Sequence, residues 1–240
     1  MSRFPLLGFA AAGLLLLIYC STAMAADETV DVLTIADYTG DWGFPSPYGH
    51  YSRGPGYLRM SLIFDTLVWK DENNYVPALA ESWQMQGNDA FVFNLRRDVT
   101  WHDGEKFTAG DVLFTLDYIK EHPYIWVNSD PIKKAEELDD YTVKIYLNEP
   151  YAPFLDMIAA TLPILPEHIY KSVSNPEQFQ DASLLTGTGP YQLVDYDKTQ
   201  GTYLYQAYDE YYLGSPKVKK LKFIKVSLAV SYTHLRAHET

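Results

Sequence analysis

Between Pro77 and Ile119 the chain alternates, turns, caps and then repeats at helical spacing without a break, and few folds accommodate that succession. Phe91, Phe93 and Leu95 fall on one side of a period-two pattern and Val92, Asn94 and Arg96 on the other, which predicts a strand with one covered face. His102, Asp103 and Gly104 follow as a turn, because Asp bonds its own backbone and Gly takes positive φ, with Trp101 beside them as an apolar anchor. Thr108 and Asp111 then have capping-box spacing: the threonine hydroxyl meets an orphan amide, and the aspartate sits at the positive end of the helix dipole. A helix is predicted over residues 109–121, with Val112, Leu116 and Ile119 on its apolar side, and Pro123 stops it by disfavouring helical geometry at His122.

The rest of the chain reads as mixed α/β (α+β). A first strand over residues 30–36 leads into a Gly/Pro/aromatic loop, residues 37–56, long enough for a compact domain to mark it as a candidate functional loop. Residues 58–66 have helical spacing, 67–75 read as strand and turn, 140–148 alternate as a strand and 150–161 look helical. Pro166 suits the first position of a short helix through Tyr170. A hairpin joins 191–196 to 202–207, and residues 218–226 supply a last strand.

The two ends call for separate treatment. Arg3 followed by an uncharged apolar run over residues 9–19 and Ala23-Met24-Ala25 reads as a secretory signal peptide over residues 1–25, and the run is short of the about 20 residues a membrane span needs. Cys20 would be the lipid carrier of a lipoprotein, a reading that bulky Tyr19 disfavours; cleavage after Ala25 leaves no thiol for disulfides or Cys-based metal sites. Residues 227–240, SLAVSYTHLRAHET, continue no pattern of the chain and resemble translated adapter read-through, so they are set aside as a foreign tail and 26–226 as the folded unit.

Charge and motif content narrow the function. A net charge of -12 repels nucleic-acid phosphates, and no basic stretch with interleaved aromatics offsets it. There is no H-E-x-x-H, nucleophile elbow or Walker loop. The neighbouring pairs His102/Asp103, Glu121/His122 and Glu167/His168 lie in turns or at helix ends, where adjacent side chains seldom converge on a metal or a proton. A glycosidase pair of carboxylates has no positive support, although carboxylates are plentiful.

Three short elements in order, ALAESW over residues 78–83, LRRDVTWHDG over 95–104 and TAGDVLFTL over 108–116, resemble the signature of family 5 of the bacterial extracellular solute-binding proteins, which holds dipeptide, oligopeptide and nickel receptors of ABC importers. The likeness continues in residues 63–67, 162–168, 186–191 and 212–214, so that it spans 30–226. It implies a periplasmic-binding-protein-like lobe with a mixed sheet and flanking helices, the second lobe missing, and a truncated product that binds weakly because one wall of its cleft is absent. It also implies a periplasmic or extracellular monomer, peripheral to the membrane, that is not an enzyme and needs no cofactor. Its partners would be a membrane permease and a small ligand: a peptide first, then an oligosaccharide or chelated nickel. A secreted hydrolase of peptides or polysaccharides and an adhesion module are the other readings left open.

The resemblance places the loop after the first strand and the loop after the capped helix at the cleft. Tyr48, His50, Tyr51 and Arg53 would combine aromatic walls with polar groups, Arg53 pairing with a ligand carboxylate, or else pack as ordinary loop residues. Tyr124 and Trp126 form a second aromatic set or a satellite of the core. Gly187 and Thr188 would bring backbone amides near a ligand, or form a tight entry to the next strand. His102, Asp103, Thr108 and Asp111 are read as scaffold, because turn and cap chemistry explains them.

Overall fold

The computed structural model describes residues 29–52, 54–72 and 74–226. The signal-peptide segment with Cys20, the candidate Arg53 and the 227–240 tail lie outside the described residues.

The segment from Pro77 to Ile119 folds much as its pattern predicts. Strand β4 (Ala80–Gln86) pairs antiparallel with β5 (Ala90–Leu95), and helix α2 runs Ala109–Glu121. Gly104 has φ +91°, and the Trp101 amide closes the turn onto the Glu105 carbonyl at 2.8 Å. A capping box forms at the head of α2, where the Thr108 amide donates to Asp111 Oδ2 at 2.9 Å. One expectation is overturned: β5 is covered on both faces, Val92 being buried, and only Asn94 is exposed, donating from Nδ2 to Ser82 Oγ on β4. The strand lies inside its sheet, between β4 and β7 (Thr142–Leu147).

That sheet has the order β4-β5-β7-β6. Its edge strand β6 (Ile132–Asp139) is not evident from sequence, because lysines and glutamates interrupt its alternation; such charges are what an unpaired edge tolerates. A second four-stranded sheet runs β1-β10-β9-β8, from β1 (Leu33–Asp37), β8 (Tyr191–Asp197), β9 (Thr202–Ala207) and β10 (Lys220–Lys225). β1 is parallel to β10, with Leu33 opposite Leu221, and the other pairs are antiparallel. A hairpin of β2 (Val68–Asp71) and β3 (Asn74–Pro77) completes the strands.

Both sheets and α2 share one apolar core. Phe91, Phe93, Val143 and Ile145 enter it from the first sheet, Tyr203, Tyr205, Leu221 and Phe223 from the second, and Val112, Leu116 and Ile119 from α2. Each buried side chain of this size removes apolar area worth about 1.5–3 kcal/mol from water.

The remaining helices differ from the sequence reading in extent. Helix α1 (Gly54–Met60) starts four residues before the predicted stretch, since Pro55 suits a first turn, and ends before Leu62 and Ile63, whose carbonyls receive the Tyr191 and Gly189 amides. The predicted 150–161 helix is a single π turn, Leu155–Ala159, in which the Ala160 amide reaches the Leu155 carbonyl at 2.9 Å. Pro166 stands one position earlier than expected, as the cap of α3 (Glu167–Tyr170).

Candidate functional site

The loop after β1 is held at its root by an ion pair between buried Arg59 and half-buried Asp37. Arg59 on α1 donates to Asp37 Oδ2 at 3.0 Å, and the same oxygen accepts Trp42 Nε1 at 2.6 Å. The guanidinium lies over the rings of Tyr203 and Phe223, at 5.0 and 4.3 Å from their centroids, so its position is fixed from several directions. Burial pushes the Asp37 carboxyl up, but the Thr39 amide, the Trp42 indole and the Arg59 charge together hold it below its ordinary value.

Asp41 is the second anchor. Its Oδ1 accepts the Gly43 amide at 3.0 Å and the hydroxyls of Tyr196 and Tyr203 at 2.6 and 3.2 Å, while Oδ2 accepts the Tyr51 hydroxyl at 2.8 Å. Partial burial raises its pKa, yet these hydrogen bonds outweigh that effect and keep it below normal. The loop turns tightly around it, with Gly40 at φ +87° and Gly43 at φ +86°, values that favour glycine. Trp42, Phe44 and Ser46 are buried, so this long segment is packed as part of the body.

The opposite wall comes from the end of α2. The Tyr48 hydroxyl donates to the His122 carbonyl at 2.8 Å, and its ring meets Tyr118 and Tyr124 edge-on with centroids 5.9 and 6.0 Å apart. His50 is buried, and its Nδ1 is 2.9 Å from the Tyr51 carbonyl; a carbonyl only accepts, so Nδ1 carries the proton and Nε2 is left as acceptor, 3.4 Å from the Tyr124 hydroxyl. Burial lowers the His50 pKa, which keeps the ring neutral near pH 7. Burial likewise pushes the Tyr48 and Tyr124 hydroxyls far above the usual phenol range, so both serve only as neutral hydrogen-bonding groups.

Between these walls lies an open cleft of about 600 Å³. Tyr48, His50, Tyr51 and Tyr124 line it, four of the residues singled out from the sequence. Thr39, Asp41, Trp42 and Glu177 line it too, and sequence reasoning missed them. Asp41 and Trp42 sit in the loop that sequence reading had flagged, between two glycines, which was the available signal; Glu177 carried none.

The other candidates are not gathered there. Trp126 is 39% exposed and packs edge-on against Tyr57, just outside the lining. Gly187 and Thr188 are buried in a different part of the fold. A Cβ on Gly187 would stand 1.9 Å from the Ile63 carbonyl oxygen, and the Thr188 hydroxyl is 3.5 Å from Asp65 Oδ2. The tight entry to β8 accounts for both. His102 pins that entry, accepting the Gly187 amide on Nδ1 at 3.3 Å and donating from Nε2 to the Gly189 carbonyl at 2.9 Å. Asp103 pairs with His168 at 2.7 Å, and Asp111 Oδ1 accepts the Glu167 amide at 3.0 Å, so the scaffold residues tie the turn and α2 to α3. No group of three His, Cys, Asp or Glu side chains suited to a metal occurs among the described residues.

The sequence pattern described as "Bacterial extracellular solute-binding proteins, family 5 Middle" matches residues 74–240. The chain belongs to this family. The dipeptide-binding protein of Escherichia coli is 30% identical to this family 5 chain over 190 residues, which are 68% of this chain and 35% of that one. Among solved structures, NikZ from Campylobacter jejuni in complex with Ni(L-His) is 28% identical with a TM-score of 0.70, over 89% of this chain and 42% of NikZ. DppA from Helicobacter pylori in complex with the peptide STSA is 26% identical with a TM-score of 0.71, over 89% of this chain and 46% of DppA. The mixed fold is therefore that of periplasmic binding proteins, and this family 5 chain spans less than half the length of each of these relatives.

Proposed function

We propose that this chain is part of the extracytoplasmic substrate-binding component of an ABC importer, that residues 26–226 form its first lobe, and that it captures small peptides for delivery to a membrane permease. The observation that carries this reading is the cleft itself: two loops far apart in sequence bring Tyr48, His50, Tyr51 and Tyr124 to one concave, aromatic-lined surface. Polar tips on broad ring faces tolerate varied side chains while bonding to a common backbone, which suits a peptide better than a ligand of fixed shape. The peptide named with DppA and the dipeptide named with the Escherichia coli relative support the same class. In such a receptor binding energy drives lobe closure and no bond is broken.

Trp42 lines the cleft, so its fluorescence reports occupancy. Titration with di- to pentapeptides should change that signal saturably, and Tyr124→Ala should weaken the response. Hydrolysis of the added peptides, lost on replacing a carboxylate or histidine of the cleft, would refute the receptor reading.

A further inference from the structure

Asp65 is the most deeply buried carboxylate among the described residues, at 1% exposed, and it lies between α1 and β2 where several stretches of chain meet. Trp69 of β2, Thr188 at the entry to β8 and Tyr212 in the connection from β9 to β10 all act on its carboxyl. Its Oδ2 has the Thr188 hydroxyl at 3.5 Å, the outer limit of a hydrogen bond. Its Oδ1 has no protein partner, and neither do the hydroxyls of Tyr211 and Tyr212, although all three oxygens are shut off from solvent.

These three oxygens belong to one site. The Asp65 charge acts on both phenols, and the Tyr212 hydroxyl interacts with that of Tyr211 as well. They are thus close enough to feel one another, yet none stands in hydrogen-bonding geometry to another. Polar groups spaced in this way are bridged by water in folded proteins, because a buried polar atom seldom goes without a partner.

No counter-ion takes that place. Arg96 lies over the Tyr212 ring, with Cζ 5.2 Å from the centroid, and its Nε donates to the Ala78 carbonyl at 2.7 Å. Among the described residues, no lysine, arginine or histidine pairs with Asp65. Burial pushes the Asp65 carboxyl up to about 7, so near neutrality it exists both with and without its proton. A partner for Oδ1 has to accept from the acid and donate to the carboxylate. Water does both, whereas an alkali cation serves the ionised form alone.

We infer that Asp65 Oδ1 and the hydroxyls of Tyr211 and Tyr212 hold one internal water molecule, which ties the connection from β9 to β10 onto the chain between α1 and β2. About three polar partners is what an internal water commonly has. Each phenol can donate or accept, so the water stays bonded whichever form Asp65 takes. The tie matters because the backbone of that connection bonds largely to itself, the Tyr211 amide to the Tyr208 carbonyl and the Gly214 amide to the Tyr211 carbonyl. None of these residues lines the cleft, so the inference is independent of the ligand reading.

Crystals of the full chain soaked in rubidium chloride test it. One density peak is expected within hydrogen-bonding distance of Asp65 Oδ1 and both hydroxyls, with no anomalous signal from rubidium, and it should vanish in Asp65→Leu. A rubidium signal at the peak, hydroxyls bonded straight to Asp65, or no peak overturns the inference. The second measurement is made in solution and does not depend on Asp65→Leu folding. Tyr211→Phe and Tyr212→Phe should each lower the urea midpoint of unfolding, and the double variant should lower it by clearly less than the sum, because both hydroxyls hold the same water. Additive shifts, or none, overturn the inference.

Discussion

Replacing Gly187 by Ala perturbs the point where the entry to β8 touches the end of α1. The new Cβ would lie 1.9 Å from the Ile63 carbonyl oxygen, where real Cβ contacts do not fall below 3.0 Å, so one backbone has to move by about an ångström. Four hydrogen bonds stand in the way of that movement. The His102 amide donates to the Gly187 carbonyl at 2.9 Å, and the Gly189 amide to the Ile63 carbonyl at 2.7 Å. The His102 ring holds both the Gly187 amide and the Gly189 carbonyl. At about 1 kcal/mol each, losing most of them costs about 3–4 kcal/mol. Gly104→Ala is the comparison, because a Cβ there meets nothing within 4 Å and only the φ of +91° opposes it, at about 1–2 kcal/mol. Urea unfolding followed by far-UV circular dichroism measures both. A Gly187→Ala protein no less stable than Gly104→Ala would refute the steric argument and show that the loop has slack.

Other consequences can be measured on the same chain. Asp65 is buried, one carboxylate oxygen has no partner, and burial pushes its pKa up to about 7 from 3.8. The folded state then holds a proton that the unfolded state has lost, so stability falls as pH rises from about 4 to about 7, by about 4 kcal/mol from this residue. Asp65→Asn should flatten that decline in unfolding curves taken from pH 4 to 8, and a slope unchanged from the parent would contradict it. Arg59→Met leaves half-buried Asp37 without its cation and should destabilise by about 1–3 kcal/mol, whereas the double variant Arg59→Met/Asp37→Asn should recover part of the loss. Asp111→Ala removes acceptors from both the Thr108 and Glu167 amides and should cost more than the about 1 kcal/mol of an ordinary cap; a smaller loss would mean that the link to α3 contributes nothing.

How far the sequence disclosed this structure depended on whether an element was defined locally. The turn at Gly104, the cap at Thr108, α2 and the β8–β9 hairpin depend on residues a few positions apart, and each formed as read. Strand β6 escaped because its lysines and glutamates answer to its place at a sheet edge, which only tertiary pairing assigns. The two-sided burial of β5 is likewise a matter of tertiary packing, which period-two alternation does not report. In the site, the aromatic residues of the two loops were legible as a set, since tyrosine and histidine clusters in Pro/Gly loops stand out. Asp41 was not, because its role comes from Tyr196 and Tyr203 on the distant second sheet, and no short-range pattern connects them. Gly187 and Thr188 were read either for close approach to a ligand or as a tight entry to the next strand, and the tight entry is what forms, with the backbone of Ile63 against Gly187.

The parallel pairing of β1 with β10 bears on how such a chain comes into being. Among the described strands β1 has no hydrogen-bonding neighbour until the last of them, β10, is made, with Leu33 waiting for Leu221. Loop closure over so long a separation is slow. The loop that follows β1 therefore takes its final place only after β10 has been made and has docked against β1.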